Sequence, residues 1–240
     1  DVSVSGSLFI DNVAIDQGGE VYGGAISSGI GNVYSVNSTY LDNKAYGAGA
    51  IHSQFGDIQL ALNTFSGNES SFWGASIGGG SGVTMWGNIF VGQGGVEVFS
   101  GGFEADLGYN LADSDLDSFT ATTSRVELEE LWNFRTAPTT AGVDRSTPVE
   151  TAPVLPLGAS SVAVNFVRGT FPGESFSDFF IGRTSIDQLG TNRRNGAIDA
   201  GAHERRASPG GAYVPVAIQS EAKRITVPGF AANSTKLTRP

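Results

Sequence analysis

Cysteine is absent from this 240-residue chain, and basic residues are few: 14 lysines and arginines and two histidines stand against 24 aspartates and glutamates. Without cysteine there can be no disulfide and no thiolate metal site. The formal net charge of −10 argues against a nucleic-acid partner, because phosphate binding needs a basic surface. Long apolar runs are also missing, and none approaches the roughly 18–20 residues that a membrane-spanning helix requires.

Glycine is abundant, with 34 residues, and the first part of the chain repeats. Aromatic residues recur at intervals of 31, 25 and 25 residues: Phe9, Tyr40, Phe65 and Phe90. A β-branched apolar residue stands seven positions before each: Val2, Val33, Ile58 and Val83. An asparagine stands three positions after the first three: Asn12, Asn43 and Asn68. A period near 25 with short strands and Gly/Asn turns is typical of a solenoid.

The repeat predicts an all-β fold, a right-handed parallel β-helix. A 25-residue coil cannot bury its own apolar face, so like residues should stack about 4.8 Å apart in internal ladders. Asn12, Asn43 and Asn68 should then form an asparagine ladder. The handedness follows from the usual right-handed parallel crossover. An antiparallel sandwich with chance spacing is the alternative.

The repeat also suggests how the chain is divided. We expect β-helix coils over 1–105, a C-terminal β-helix region with an irregular cap over 106–204, and a linker leading to a further segment over 205–240. Because residue 1 opens directly on a coil, we also expect further coils upstream. Ser124 and Glu127 have the spacing of a capping box, which predicts a short helix ending near Asn133. Short strands are expected over 161–204.

Two parts of the chain resemble known families. Gly23-Gly24-Ala25-Ile26 and the Phe-x-x-Asn pattern resemble the repeats of bacterial surface proteins of the polymorphic outer-membrane protein type. Residues 106–204 are similar to the C-terminal part of the "choice-of-anchor Q" β-helix proteins, through Gly108–Leu111, Ser161–Asn165 and the closing run Asp187–Glu204. The resemblance implies a pectin-lyase-like solenoid that is secreted or on the bacterial cell surface, and it implies no particular chemistry.

Asp11 and Asp42 occupy equivalent positions two residues after the aromatic. Stacked carboxylates at this spacing could hold Ca²⁺, or act as an acid/base pair on a glycan. The competing interpretation is a turn, because the next coils have Gly67 and Gly92 there and both Asp and Gly tolerate left-handed backbone.

Tyr46, Phe72 and Trp73 are the aromatics expected at the surface, in the turns after Asn43 and Asn68, where they could form a platform for stacking sugars. The alternative is packing between coils, which we expect for Trp86 within a strand.

The closing motif contains Arg193, Arg194 and Asp199. We expect a buried Arg–Asp pair that pins the final strand and caps the last coil, whose apolar end would otherwise be exposed. His203 and Glu204 are adjacent in sequence and should point to opposite faces, which argues against a metal site.

Three functions remain open. The first is non-enzymatic adhesion to a polysaccharide or cell-surface glycan. The second is a polysaccharide lyase or glycoside hydrolase with its site on these or upstream coils, although Lys44 and His52 are the only basic residues in 1–105 and no Asp-Asp pair occurs there. We expect His52 to be a solvated, outward-facing side chain. The third is a structural spacer. No catalytic residue is assigned, and no cofactor other than Ca²⁺ is expected.

Overall fold

A computed structural model describes residues 1–14, 20–79, 81–92, 99–101, 105–113, 121, 123–126, 155, 157, 161–188, 192–193, 197–202 and 204. In these ranges every pairing between strands is parallel, and the strands stack coil upon coil in four sheets. The predicted parallel β-helix is therefore confirmed.

The four sheets are named in the order in which one coil visits them. Sheet A contains β1 (Val2–Ser5), β4 (Val33–Val36), β8 (Ile58–Ala61), β12 (Val83–Trp86) and β15 (Ala105–Asp106). Sheet B contains β2 (Leu8–Ile10), β5 (Thr39–Leu41), β9 (Thr64–Ser66), β13 (Ile89–Val91), β16 (Leu111–Ala112) and β17 (Arg125–Val126). Sheet C contains β6 (Lys44–Gly47) and β10 (Glu69–Trp73). Sheet D contains β3 (Ile26–Ser28), β7 (Ile51–Ser53), β11 (Ile77–Gly79) and β14 (Phe99–Gly101).

Residues with left-handed backbone turn the chain at the corners between sheets. The corner from A to B has Gly6, Asn37, Leu62 and Gly87, with φ between +50° and +69°. The corner from B to C has Asp11, Asp42, Gly67 and Gly92, with φ between +53° and +63°. Most of these residues are Gly, Asn or Asp, the types that adopt this conformation at least cost. The Gly, Asn and Asp residues that recur in the sequence thus mark the corners of the coils.

Aromatic and aliphatic ladders fill the interior of the coils. The rings of Phe9, Tyr40, Phe65 and Phe90 stack with centroids 5.0, 4.7 and 4.8 Å apart and nearly parallel planes. Ile26, Ile51 and Ile77 pair in register on sheet D. Burial of these apolar side chains is the main stabilising contribution, since a single coil has no core of its own.

Two asparagine ladders bond one coil to the next. In the first, Asn12 Nδ2 donates to Asn43 Oδ1 at 2.8 Å, and Asn43 Nδ2 donates to Asn68 Oδ1 at 2.9 Å. The second runs through Asn63, Asn88 and Asn110, with amide-to-amide distances of 3.1 and 3.0 Å. Both ladders also accept from backbone N–H groups at the corners, so they satisfy buried polar groups there.

The described part of 161–204 lies along the side of the coils. Gln188 Oε1 accepts from Thr39 Oγ1 at 2.6 Å, and Gly201 N donates to Gly87 O at 2.8 Å. A second apolar cluster joins coil and C-terminal residues: Val36, Leu62, Trp86, Val167, Phe176 and Phe180. These described residues cover the corner between sheets A and B, and a cap on the end of the last coil stays a prediction.

Two local predictions also need correction. Arg125–Val126 forms β17 and pairs with Leu111–Ala112, because Ser124 Oγ is bonded to Asp106 and Asn110 and extends the second ladder instead of capping a helix. Residues 127–133 lie outside the described ranges. The described part of 161–204 has 3₁₀ helices at Gly173–Ser175, Asp178–Phe180 and Arg183–Ser185 and two isolated antiparallel bridges, not the expected short strands.

Candidate ligand-binding surface

Five rings from successive coils meet at the corner between sheets C and D. We call them the aromatic corner: Tyr22, Tyr46, His52, Phe72 and Trp73. Tyr46 stacks on Phe72 with ring centroids 5.0 Å apart and planes 11° from parallel. Tyr22 stacks on Trp73 at 5.2 Å and on His52 at 4.8 Å. The structure thus brings the three predicted aromatics together and adds two rings.

Sheet C determines which of these side chains point outward. Tyr46 lies between Ala45 and Gly47, both buried, so it projects from the outer face. The register between β6 and β10 shifts between Ser70 and Trp73, which is a β-bulge. A bulge redirects side chains, and here it accompanies the partial exposure of two consecutive aromatics. Tyr46 and Phe72 lie within strands, not in turns as the sequence predicted.

Two glycines give the larger rings their space. A Cβ on Gly47 would lie 2.9 Å from Tyr22 Cδ1 and 3.1 Å from Trp73 Cε2. A Cβ on Gly78 would clash with Cζ3 of Trp73. The indole therefore rests directly on the backbone of sheet D, and it meets Tyr22 across Gly47, which belongs to the coil between them. Any side chain at either glycine would displace a ring.

Phe72 is the most exposed ring of the aromatic corner, with 54% of its surface accessible. Tyr22, Tyr46 and Trp73 are half-buried, so each presents part of its ring to solvent. Since stacked neighbours cover part of each ring, the accessible surface consists of the free side of Phe72 and the outer parts of the other rings. Such a cluster can contact the apolar side of a ligand while its hydroxyl and indole N–H groups bond polar atoms.

His52 lies beneath these rings and is only 7% exposed. The expectation of a solvated histidine is wrong, because Tyr22 and Trp73 cover the imidazole. Burial lowers its pKa, so the ring is neutral at pH 7. No described group is within hydrogen-bond reach of its Nδ1. His52 therefore contributes apolar contact and no charge to the corner.

Charged groups lie at both ends of the aromatic corner. Lys44 Nζ forms an ion pair with Glu69 at 2.7 Å across β6 and β10. The pKa of Lys44 is raised, chiefly by this contact and further by the charges of Asp42 and Asp11. At the other end the hydroxyl of Tyr22 donates to Glu20, which raises the pKa of Tyr22 to about 12. The Tyr22 hydroxyl and the Lys44 amino group are therefore both protonated at neutral pH.

Asp11 and Asp42 sit at the corner from sheet B to sheet C with the same φ of 53°. Gly67 and Gly92 have this conformation in the next coils, which supports the turn interpretation. Within the described ranges there is no group of three or more His, Cys, Asp or Glu side chains suited to a metal ion. A Ca²⁺ ion held by Asp11 and Asp42 stays a prediction.

Arg193 is buried in the C-terminal segment. Its guanidinium pairs with Glu204 at 3.2 Å and donates to the carbonyl oxygens of Asp199 and Gly201 and to Asn37 Oδ1 on the coils. The predicted buried arginine is present, and the described ion pair is with Glu204, while the Asp199 carboxylate accepts from Asn165 N. Arg194 and His203 lie outside the described residues. This network is structural and distant in sequence from the aromatic corner.

Sequence reasoning missed Tyr22, because it lies in the one long interval of the repeat, where the period gave no register. The Tyr22–Gly47 bridge supplies that register in the structure.

Among the described residues no helix has the length and apolarity to cross a membrane. Comparisons of the chain with protein-family models, with curated proteins and with solved structures give no match, so the family resemblance stays a prediction.

Proposed function

We propose that this protein is a secreted or cell-surface bacterial β-helix domain that binds a glycan through the aromatic corner without cleaving it. The observation that supports this is the exposed Phe72 ring stacked on Tyr46, with Trp73 and Tyr22 beside it. Aromatic rings offer an apolar surface to the C–H groups of a sugar, and hydroxyl and indole groups at their edges can bond sugar hydroxyls.

The polar surroundings suit such a ligand. Ser71 is exposed next to Phe72, and the Lys44–Glu69 pair lies on the outside of the same sheet. A cluster of exposed aromatics with a polar rim is typical of a binding surface, whereas scattered single residues are ordinary. Phe55 is such a single residue: it is 64% exposed and lies in the turn between sheets D and A.

The experiment is affinity electrophoresis of the protein through gels that contain different polysaccharides. Retention of the wild type by at least one polysaccharide is expected. Phe72→Ala should weaken that retention about fivefold, since a stacking contact contributes about 1 kcal/mol. Phe55→Ala removes an aromatic of similar exposure at another corner and should change nothing.

Three outcomes would contradict the proposal. Equal effects of Phe72→Ala and Phe55→Ala would mean that binding does not use the aromatic corner. Release of reducing ends from a retained polysaccharide, with or without Ca²⁺, would make the protein an enzyme. An absence of retention on every polysaccharide would favour a spacer.

A further inference from the structure

We infer that the ligand of the aromatic corner is an uncharged glycan, and that uronate-containing and sulfated glycans are excluded. This rests on the proposed function and specifies the class of ligand. It follows from the charge of the coils and from the state of the cation nearest to the rings.

The coil region is strongly acidic. Residues 1–105 contain nine carboxylate side chains and a single lysine. The acidic residues are Asp1, Asp11, Asp16, Glu20, Asp42, Asp57, Glu69, Glu97 and Glu104. His52 adds no charge at pH 7, because burial disfavours its protonated form. A polyanion that lies along these coils meets a surface of its own sign, which opposes association.

Lys44 is the one cation that these coils could offer to an acidic sugar. Lys44 and Tyr46 are two residues apart on the outer face of β6, so they lie about 7 Å from each other along the strand. The Lys44 ammonium group is already paired with Glu69 at 2.7 Å. An acidic sugar stacked on Tyr46 and Phe72 would have to displace Glu69 to reach Lys44. The displaced Glu69 carboxylate would then lie beside the acid group of the sugar and repel it.

The far end of the aromatic corner has the same character. Glu20 accepts the hydroxyl proton of Tyr22, so a carboxylate borders the ring that covers Trp73. Asp11 and Asp42 act on Lys44 from the corner between sheets B and C. Because Glu20 is hydrogen-bonded to Tyr22, its charge lies within about one Debye length of that ring, roughly 8 Å at physiological ionic strength, and acts on a bound ligand.

Sugar hydroxyls have no such conflict. They can accept from Lys44 or Ser71 and donate to Glu20 or Glu69 without loss of an ion pair, because a carboxylate has several acceptor sites. The described surface is thus rich in acceptors for hydroxyl protons and poor in partners for anions. An uncharged, hydroxyl-rich ligand matches this composition.

The experiment measures retention of the full chain on four polysaccharides: a neutral β-glucan, a neutral mannan, polygalacturonate and a sulfated galactan. Retention is expected on at least one neutral polymer, with less than a twofold change between about 50 and 500 mM salt. No retention is expected on the acidic polymers. Glu69→Gln frees Lys44 from its partner and should produce salt-sensitive retention on polygalacturonate, whereas any change in retention on the neutral polymer should not depend on salt.

The double variant Lys44→Gln/Glu69→Gln is the matched control, since it removes both charges and should lose the acquired retention on polygalacturonate. Both side chains are about half exposed, so these substitutions should leave the fold intact. If the wild type were retained only on an acidic polymer and Phe72→Ala weakened that retention, the inference of an uncharged ligand would be overturned. The proposal that the aromatic corner binds a glycan would still hold. An absence of retention on all four polymers would overturn the proposed function as well.

Discussion

At the scale of single residues, two kinds of position repeat from coil to coil. One residue adopts left-handed backbone at a corner, and the next carries an amide that bonds to the coil above. Asp42 and Asn43 illustrate both: φ of Asp42 is 53°, and Asn43 Nδ2 bonds to Asn68 Oδ1 and to the carbonyl of Phe9. Because each corner is stacked on an equivalent corner, one substitution disturbs neighbours in two coils.

Asn43→Ala should lower the free energy of unfolding by about 3 kcal/mol, because it leaves buried donors and acceptors without partners. Asn12→Ala is the matched control, because Asn12 is exposed at the edge of the same ladder and its side-chain amide donates to Asn43 Oδ1. Its loss should cost about 1 kcal/mol. Urea denaturation measures both values. Equal destabilisation by the two variants would contradict a ladder that depends on burial.

Asp42→Val should lower the free energy of unfolding by about 1–2 kcal/mol, because a β-branched residue tolerates left-handed backbone poorly. Asp42→Gly should stay within about 0.5 kcal/mol of the wild type, since glycine occupies this corner in the next two coils. Thermal unfolding with and without Ca²⁺ supplies the second readout. Stabilisation of the wild type by Ca²⁺ that disappears in Asp42→Gly would favour the metal site over the turn.

At the scale of elements, sheet C and sheet D form the aromatic corner together. The bulge in β10 accompanies two adjacent outward aromatics, and Gly78 of β11 provides the flat backbone on which Trp73 rests. Neither strand could place the indole alone. The geometry of the surface therefore depends on glycines, since a side chain at Gly47 or Gly78 would displace a ring.

Gly78→Ala tests this dependence. The added methyl group clashes with the Trp73 ring, so the indole should move, its fluorescence should shift and glycan retention should fall several-fold. Gly29→Ala is the control, because a Cβ at Gly29 meets nothing within 4 Å. Unchanged fluorescence and retention in Gly78→Ala would mean that the position of Trp73 does not depend on its contact with the backbone of β11.

The elements of the coils could be predicted because the period is visible in the sequence. Val33, Ile58 and Val83 pair in register as their spacing of 25 indicates. The second asparagine ladder gave the same signal, since Asn63 and Asn88 are also 25 residues apart, and it was overlooked. The helix predicted at Ser124 failed because a capping-box pattern is short and local, while Ser124 is recruited by Asp106 and Asn110.

At the scale of the whole molecule, the C-terminal segment fastens the coils from the side. Its contacts join residues far apart in sequence, such as Arg193 to Asn37 and Ala202 to Thr64. No period or pattern in the sequence indicates such contacts. The sequence therefore gave no reason to place this segment along the side of the coils. Its apolar part covers Trp86 and Leu62, which would otherwise face solvent.

Arg193→Ala should destabilise the protein by about 3–5 kcal/mol, because Glu204 is left as a buried charge without this partner. Chymotrypsin should then cleave faster at Phe176 and Phe180, which are buried against the coils in the wild type. Arg183→Ala removes an exposed guanidinium that contacts only the neighbouring Phe179 ring and carbonyl among its described partners. Cleavage as fast in Arg183→Ala as in Arg193→Ala would contradict a specific role for Arg193.

The central claim, that the aromatic corner binds an uncharged glycan, is tested most directly by a nuclear magnetic resonance titration. The wild type is titrated with uncharged oligosaccharides cut from the polysaccharide that retains it, and the ring signals of Phe72 and Trp73 are followed. Saturable shifts at these rings, with the Phe55 signal unmoved, are the predicted result. Shifts centred on Phe55 or elsewhere, or no saturable shift at Phe72 and Trp73, would contradict the claim.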